Sequence, residues 1–323
     1  MEDTKNLTNH QAELGEAIRR HLCRSGQREL PYSLLYDDLG SVLFEAISLL
    51  PEYGVTRAES RVMRFQANEI VSQLSLPIRV VELGSGTGVK TRWILEALKR
   101  QEKVSYAAID LSRYALDVCE KEMGALPFVT VEKLNLSFLD GLQVALSRRE
   151  IGQSVLVLFL GSTIGNSHPS EARTFLGEIR SHLEPGDHLL LGVDLQRDER
   201  ALLLAYDDPT GVTAAFNLNL LGHINRELDS NFDLRSYVHE ARYNAAEQRV
   251  EMHLRSKREQ TVTIPEICLS ISIREGETIW TESSYKYCAE DLHQIAIQSR
   301  FEPVGQWIDS EWPFSANLWR VAC

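Results

Sequence analysis

The chain has 323 residues, 43% of them hydrophobic, enough for one large core or two moderate ones. Its 46 acidic against 34 basic residues give a formal net charge of −12, which repels phosphate backbones and anionic membrane surfaces. A small molecule is therefore the expected partner, with no nucleic acid, no membrane and a monomer. Five scattered cysteines without a C-x-x-C, and nine histidines without an H-E-x-x-H, argue against a disulfide framework, a zinc knuckle and any bound metal.

The opening "MEDTKNLTNHQAELGEAIRRHL" lacks the basic start and apolar stretch of a signal peptide. No apolar run approaches the ~20 residues that span a bilayer, so a cytoplasmic protein is expected. Residues 8–24 read as an amphipathic helix. Pro51 then separates two further helices. From 78 the chain alternates between short apolar runs and helical segments. Strands are expected at 78–83, 104–111, 128–136, 154–161 and 187–195. Helices are expected at 90–100, 113–124, 139–149 and 170–183. This alternation predicts crossover units and a mostly parallel sheet, with 154–160 apolar enough to be a central strand.

After residue 195 the pattern changes. Residues 197–230 read as helical with a turn at "YDDPTG", and "RVEMHLRS", "QTVTIPEICLSISI" and "ETIWTESSYKY" read as antiparallel strands. A helix at 289–299 and strands at "FEPVGQWID" and "FSANLWRVA" close the chain. The expected division is an α/β core of 58–195 plus 287–323, and a second α+β, substrate-binding domain of 1–57 plus 196–286.

Two glycine loops carry the chemistry. "VVELGSGTGVKTR" ends a strand in Gly84, Gly86 and Gly88, where the backbone can turn tightly and a ligand can approach without a side chain in the way. Asp110 ends the next strand and is placed to accept both hydroxyls of a ribose. E-x-G-x-G-x-G followed by an acid after the second strand resembles the class I, Rossmann-like, S-adenosylmethionine-dependent methyltransferases. That resemblance implies that Gly84, Gly86 and Asp110 hold the cofactor S-adenosyl-L-methionine, with adenine near Ser137 and Phe138. Many relatives carry an acid where Ser137 stands, and a hydroxyl accepts the adenine amino group more weakly. Lys90 opens the following helix, either as a ligand of the cofactor carboxylate or as a solvated lysine where the helix dipole disfavours it.

The second loop, "GSTIGN" (161–166), follows the fourth strand and is expected to meet the methyl acceptor. Gly161 offers a carbonyl and Asn166 an amide, groups that orient an amine's lone pair without protonating it. The plainer alternative is a strand–turn–helix link. "FLGSTIGN", "AYDDPTGVTAAFNLNLL", "EMHLRS", "TESSYKY" and "LYDDLGSVLFEAISLLPEY" together resemble the histidine Nα-methyltransferases of ergothioneine biosynthesis, which make hercynine from L-histidine and three S-adenosylmethionine molecules. The resemblance runs from about residue 36 to 287. It implies that Tyr53, Tyr206 and Asn166 hold the carboxylate and amine, that Met252 lines the substrate, and that Glu282 and Ser284 bind the imidazole nitrogens. Tyr36 would lie beside the sulfonium, where an aromatic ring suits a cation; Tyr36 and Asn166 are the residues nearest the chemistry. Taken singly, the tyrosines are ordinary half-buried residues, Met252 is core and Glu282 is a surface charge; their joint occurrence reverses that. One departure is "PEYGVTR", where the family often reads P-E-Y-Y-P-T-R: Gly54 and Val55 stand there and bear on the loop carrying Tyr53. The other readings are N-methylation of another amino acid such as tryptophan, and a non-catalytic S-adenosylmethionine-binding protein. No histidine or lysine in these motifs is an evident general base, so deprotonation through water or a tyrosine is open.

Overall fold

The computed structural model describes residues 14–322. Of the helix expected over 8–24, residues 14–22 form α1, and 8–13 lie outside the described residues. A two-residue strand, β1 (Arg28–Glu29), precedes α2 (Asp38–Leu49), which is capped where the Asp37 carboxylate accepts the Gly40 N–H. Helix α3 (Val55–Ser72) follows. Strands and helices then alternate as β2 (Ile78–Leu83), α4 (Arg92–Ala97), β3 (Val104–Ile109), α5 (Arg113–Met123), β4 (Val129–Leu134), α6 (Phe138–Ser147), β5 (Ser154–Phe159), α7 (Pro169–His182) and β6 (His188–Asp194). Every expected element of this stretch is present. The helix expected over 90–100 is the shortest relative to expectation, because Lys99–Gln101 closes it as a 3-10 turn.

Helices α8 (Glu199–Tyr206) and α9 (Val212–Leu228) come next, then β7 (Tyr237–Asn244), β8 (Arg249–Ser256), β9 (Gln260–Ile264), β10 (Leu269–Ile273) and β11 (Thr278–Tyr285). The run "QTVTIPEICLSISI" is two strands, since Pro265 starts a 3-10 turn that ends in Cys268 at φ 48°. Helix α10 (Asp291–Gln298), β12 (Glu302–Ile308) and β13 (Phe314–Arg320) follow. Among the described residues no helix is long and apolar enough to cross a membrane, and no cluster of His, Cys, Asp and Glu could hold a metal ion.

The chain forms two compact units. One comprises Tyr53–Arg197 and the segment from Tyr285 onward. Its sheet has the order β12-β13-β6-β5-β2-β3-β4, parallel from β6 to β4, with β13 antiparallel to both β6 and β12. Strands β2, β5 and β6 are buried almost throughout, as expected for strands covered on both faces. Val81, Leu83, Ala107, Ile109, Val157 and Leu191 point into one core layer with Leu142 of α6, Leu176 of α7 and Leu292 of α10. The alternate residues face the other way. There Tyr106 reaches Cys119 of α5 and Gly192 makes room for Glu59 of α3. Helix α3 packs on β12, β13 and α4, so residues 53–57 belong to this unit rather than to the second domain expected from the sequence.

Among the described residues the other unit comprises 14–52 and Asp198–Ser284. It contains a four-stranded sheet, β1-β11-β8-β7, and the β9–β10 hairpin, with α2 and α9 packed together. Strand β7 has no counterpart among the expected elements. Its sequence "YVHEARYN" carries Glu240 and Arg242 in the middle, and only Tyr237 and His239 are buried, so the apolar alternation is too short to read. Residue-by-residue pairing with β8 supplies what the side chains do not.

Candidate active site

Strands β3, β2 and β5 are parallel neighbours, so the segments after them leave the same edge of the sheet, where ligands of such sheets bind. The first loop holds Gly84, Gly86 and Gly88 at φ of 74°, 51° and 74°, a region L-residues rarely adopt. Their surroundings differ. A Cβ on Gly86 would meet nothing within 4 Å, one on Gly84 would lie 3.5 Å from the Phe138 ring, and one on Gly88 would lie 2.7 Å from Cys119 Sγ. Gly88 is therefore fixed by packing, while Gly86 borders open space. The Gly86 N–H donates to Asp110 Oδ2 at 2.9 Å and the Ser112 N–H donates to Oδ1 at 2.9 Å. Burial raises the Asp110 pKa against these bonds.

Beneath the loop lies Glu82, fully buried. It accepts from Thr91 Oγ1 at 2.6 Å and from the Tyr106 hydroxyl, and burial pushes its carboxyl up to about 7. Glu82 thus supports the loop from below. Ser137 caps α6: its hydroxyl donates to Asp140 Oδ2 at 2.6 Å and accepts the Asp140 N–H. Phe138 packs edge-on against Phe159, with ring centroids 5.7 Å apart.

The second loop is tied to the first by a residue the sequence reading did not single out. Glu59, on α3, is fully buried. One oxygen accepts the Gly161 N–H at 2.8 Å and the other pairs with the Lys90 ammonium. A Cβ on Gly192 would overlap Glu59 Oε1, so the glycine in β6 is what lets the carboxylate in. The signal was in the sequence. Val55, Ala58, Val62 and Met63 mark the buried face of α3, and Glu59 falls on it at helical spacing. Glu59→Gln keeps an acceptor for Gly161 but removes the anionic partner of Lys90. It is expected to destabilise the fold by about 1–3 kcal/mol, discounted because Lys90 is partly exposed. A denaturant midpoint equal to that of the unaltered protein would show that the pair contributes nothing.

The rest of the loop is equally constrained. Ser162 adopts φ 58° and its Oγ accepts the Asp194 N–H at 2.9 Å. A Cβ on Gly165 would lie 2.9 Å from the Tyr285 carbonyl oxygen, so only glycine fits that close approach. Asn166 ends the following 3-10 turn, half-buried, and among the described residues its amide makes no hydrogen bond. Tyr53, buried, immediately precedes Gly54 at the start of α3.

The other unit gathers the remaining residues. Tyr36 donates its hydroxyl to Glu282 Oε1 at 3.4 Å, and the Tyr206 and Ser284 hydroxyls are 2.7 Å apart. Glu282 and Ser284, 7% and 5% exposed, are two apart on β11 and share a face. Trp280 Nε1 donates to the Glu282 carbonyl, and Thr281 Oγ1 donates to the carbonyl of Met252, which is buried on β8. The Tyr36 ring meets Phe44 and Phe216 edge-on. Tyr206 is further held by His239, whose Nε2 lies 2.8 Å from the Tyr206 carbonyl while Nδ1 lies 2.9 Å from Asn217 Nδ2. Burial lowers the His239 pKa, so the neutral ring donates through Nε2 and accepts at Nδ1. His239 stands on the unread strand β7, which is why this support was missed. Two phenols, a serine hydroxyl and a carboxylate, most of them buried, suit a small polar ring bearing both a donor and an acceptor.

The chain matches the family described as "Histidine-specific methyltransferase, SAM-dependent" over residues 14–321. The histidine N-alpha-methyltransferase of Mycolicibacterium smegmatis is 37% identical to it, over 98% of this chain and 99% of that protein. That of Mycobacterium tuberculosis is 35% identical, over 97% and 98%. A 4-dimethylallyltryptophan N-methyltransferase of Claviceps purpurea is 27% identical over 88% of each chain. With a glycine loop and acid on adjacent parallel strands, and a match along nearly the whole described length, this chain belongs to the histidine-specific, S-adenosylmethionine-dependent methyltransferase family.

Proposed function

We propose that the protein methylates the α-amine of L-histidine, forming the trimethylated betaine hercynine for ergothioneine biosynthesis. The observation that carries this reading is the part-buried pairing of Tyr36 with Glu282 and the buried pairing of Tyr206 with Ser284. A carboxylate and a hydroxyl on one strand face match the two nitrogens of an imidazole. An indole offers one N–H and no ring acceptor, so it matches a carboxylate and a hydroxyl less fully than an imidazole does. Met252 supplies an apolar neighbour in the same unit.

The donor-side residues fit a nucleoside cofactor. Gly86 borders open space, Asp110 presents a carboxylate for ribose hydroxyls, and the Gly84–Phe138 approach forms an apolar wall. The Ser137 hydroxyl is engaged by Asp140, so adenine contact at that position falls to its main chain and to Phe138. S-adenosylmethionine supplies a methyl group on a positively charged sulfur. Lys90, paired with Glu59, is the group for the cofactor's carboxylate, and the Tyr36 ring is the partner for its sulfonium charge.

On the acceptor side, Asn166 and Tyr53 hold the substrate amine and carboxylate. Gly161 spends its N–H on Glu59, which leaves its carbonyl as the acceptor for the amine. A carbonyl and an amide oxygen orient the amine, and positioning of this kind lowers the barrier of a displacement without acid or base chemistry at the reacting carbon.

The test is incubation with S-adenosylmethionine and the twenty amino acids, with product masses followed in time. Growth of mono-, di- and trimethylhistidine supports the reading. A methylated tryptophan instead would overturn it, and no release of S-adenosylhomocysteine would identify a binding protein. The α-amine must be neutral to react, so the rate is expected to rise with pH across the neutral range. A flat profile would refute that step. We further infer a cytoplasmic monomer without nucleic-acid or membrane partners, supported by the net charge of −12 and tested by sedimentation.

A further inference from the structure

The departure at Gly54 has a structural counterpart. Gly54 adopts φ −81° and ψ −13°, an ordinary helical conformation, so its glycine is not required by the backbone. A Cβ there would overlap the six-membered part of the Trp312 indole. Trp312 therefore lies directly against the main chain beside Tyr53. The indole is itself held: its Nε1 donates to Asp194 Oδ1 at 3.2 Å, and the Arg197 guanidinium stacks 3.9 Å from its ring centroid.

Asp194 is the centre of this arrangement. It is fully buried at the end of β6 and accepts from Lys286 Nζ at 2.7 Å and from Arg197 at 2.7 and 3.2 Å. Its N–H donates to Ser162 Oγ at 2.9 Å, inside the 161–166 loop. Its pKa is lowered, because Lys286 and Arg197 outweigh the cost of burial. Asp194 thus gathers, through its carboxylate, the segments at Arg197 and Lys286 and, by way of Trp312, the start of α3, while its main-chain N–H holds the 161–166 loop. These include all three places where the chain enters or leaves this unit.

We propose that Asp194 is a positioning residue for the acceptor substrate, acting through Trp312 on Tyr53 and through its main-chain N–H on the 161–166 loop. This rests on the proposed histidine methylation. The contact is steric at Gly54 and polar at Asp194, and each end can be altered separately. The glycine loop and Asp110 take no part in it, so cofactor binding serves as the internal control.

The experiment compares steady-state kinetics for histidine with calorimetric binding of S-adenosylhomocysteine. The proteins are the unaltered enzyme, Gly54→Ala, Trp312→Phe, Trp312→Leu and the Gly54→Ala/Trp312→Leu double variant. Gly54→Ala is expected to raise the KM for histidine at least tenfold while S-adenosylhomocysteine affinity stays within twofold. Trp312→Phe keeps a ring on Gly54 but loses the bond to Asp194, and a three- to fivefold rise is expected. The double variant is expected to return to within threefold of Trp312→Leu alone, because the smaller side chain makes room for the new methyl. A Gly54→Ala enzyme with unchanged histidine KM would overturn the proposal, as would equal losses in histidine and cofactor binding, or a double variant no better than Gly54→Ala. If Gly54→Ala does not fold, an unchanged histidine KM in Trp312→Phe overturns it alone. An unaltered enzyme that leaves histidine unmethylated refutes the functional reading instead.

Discussion

Glu282→Ala is expected to weaken histidine binding by about 100-fold while S-adenosylhomocysteine binding stays within twofold. Glu282 is buried on β11, where it can form a charge-assisted bond to an imidazole N–H. Loss of such a bond, with the substrate's donor left unpaired in dry surroundings, costs about 2–3 kcal/mol, which is ~30- to 150-fold in affinity. The bond from the Tyr36 hydroxyl is lost in the same variant, which adds to the effect on the acceptor side. Glu282→Gln should fall in between, since an amide oxygen still accepts but carries no charge. Calorimetry with histidine and with S-adenosylhomocysteine separates the outcomes. Histidine affinity that survives Glu282→Ala would remove Glu282 from the recognition of the ring. The same titration with tryptophan tests whether the variant has moved toward an apolar side chain.

Asp110→Ala should produce the converse pattern, a loss of about 100-fold in S-adenosylhomocysteine affinity with histidine binding measured alone little changed. The carboxylate has two tasks. It fixes the Gly86 and Ser112 N–H groups at 2.9 Å each, and its remaining lone pairs face the ribose in the proposed mode. Alanine loses both: the Gly86 and Ser112 N–H groups lose their acceptor, and so do two ribose hydroxyls. Asp110→Asn is instructive because its amide retains one acceptor oxygen and turns a donor toward one of the two N–H groups. Because burial raises the Asp110 pKa, the carboxylate protonates at higher pH than an exposed aspartate. Cofactor affinity should accordingly begin to fall on acidification before that of a site with an ordinary carboxylate. Equal affinity in Asp110→Ala and the unaltered protein would place the ribose elsewhere.

The parts of this molecule readable from the sequence are those whose cause is local. Apolar runs of six or seven residues bounded by turn residues gave β2, β3, β5 and β6, because a strand covered on both faces has no choice but to be apolar. The pairing of Glu282 with Ser284 on one face follows from the two-residue repeat of a strand. What escaped depends on residues far apart in the chain. Glu59 falls on the apolar face of its helix, but its partners Lys90 and Gly161 come from elsewhere in the chain. Gly54 reads as a departure in the loop carrying Tyr53, whereas its small size is set by an indole near the other end of the chain. Ser137 sits where an adenine contact is expected, but as the residue before α6 its hydroxyl is drawn to the helix N-terminus. Strand β7 forms because β8 pairs with it along its length, although its own side chains argue weakly for a strand.

The strand order also has a consequence for biosynthesis. β6 is flanked by β5 on one side and by β13 on the other, and β13 is made long after β6, once the whole of the other unit has been translated. Until Phe314–Arg320 leaves the ribosome, β6 presents an open edge whose side chains are Leu189, Leu190, Leu191 and Val193. Unpaired apolar edges of this kind recruit other strands. A nascent chain stalled before residue 314 should therefore aggregate or occupy a chaperone, and should be cut rapidly by protease. Release of a few further residues should end that vulnerability at once, since a single strand closes the sheet's interior.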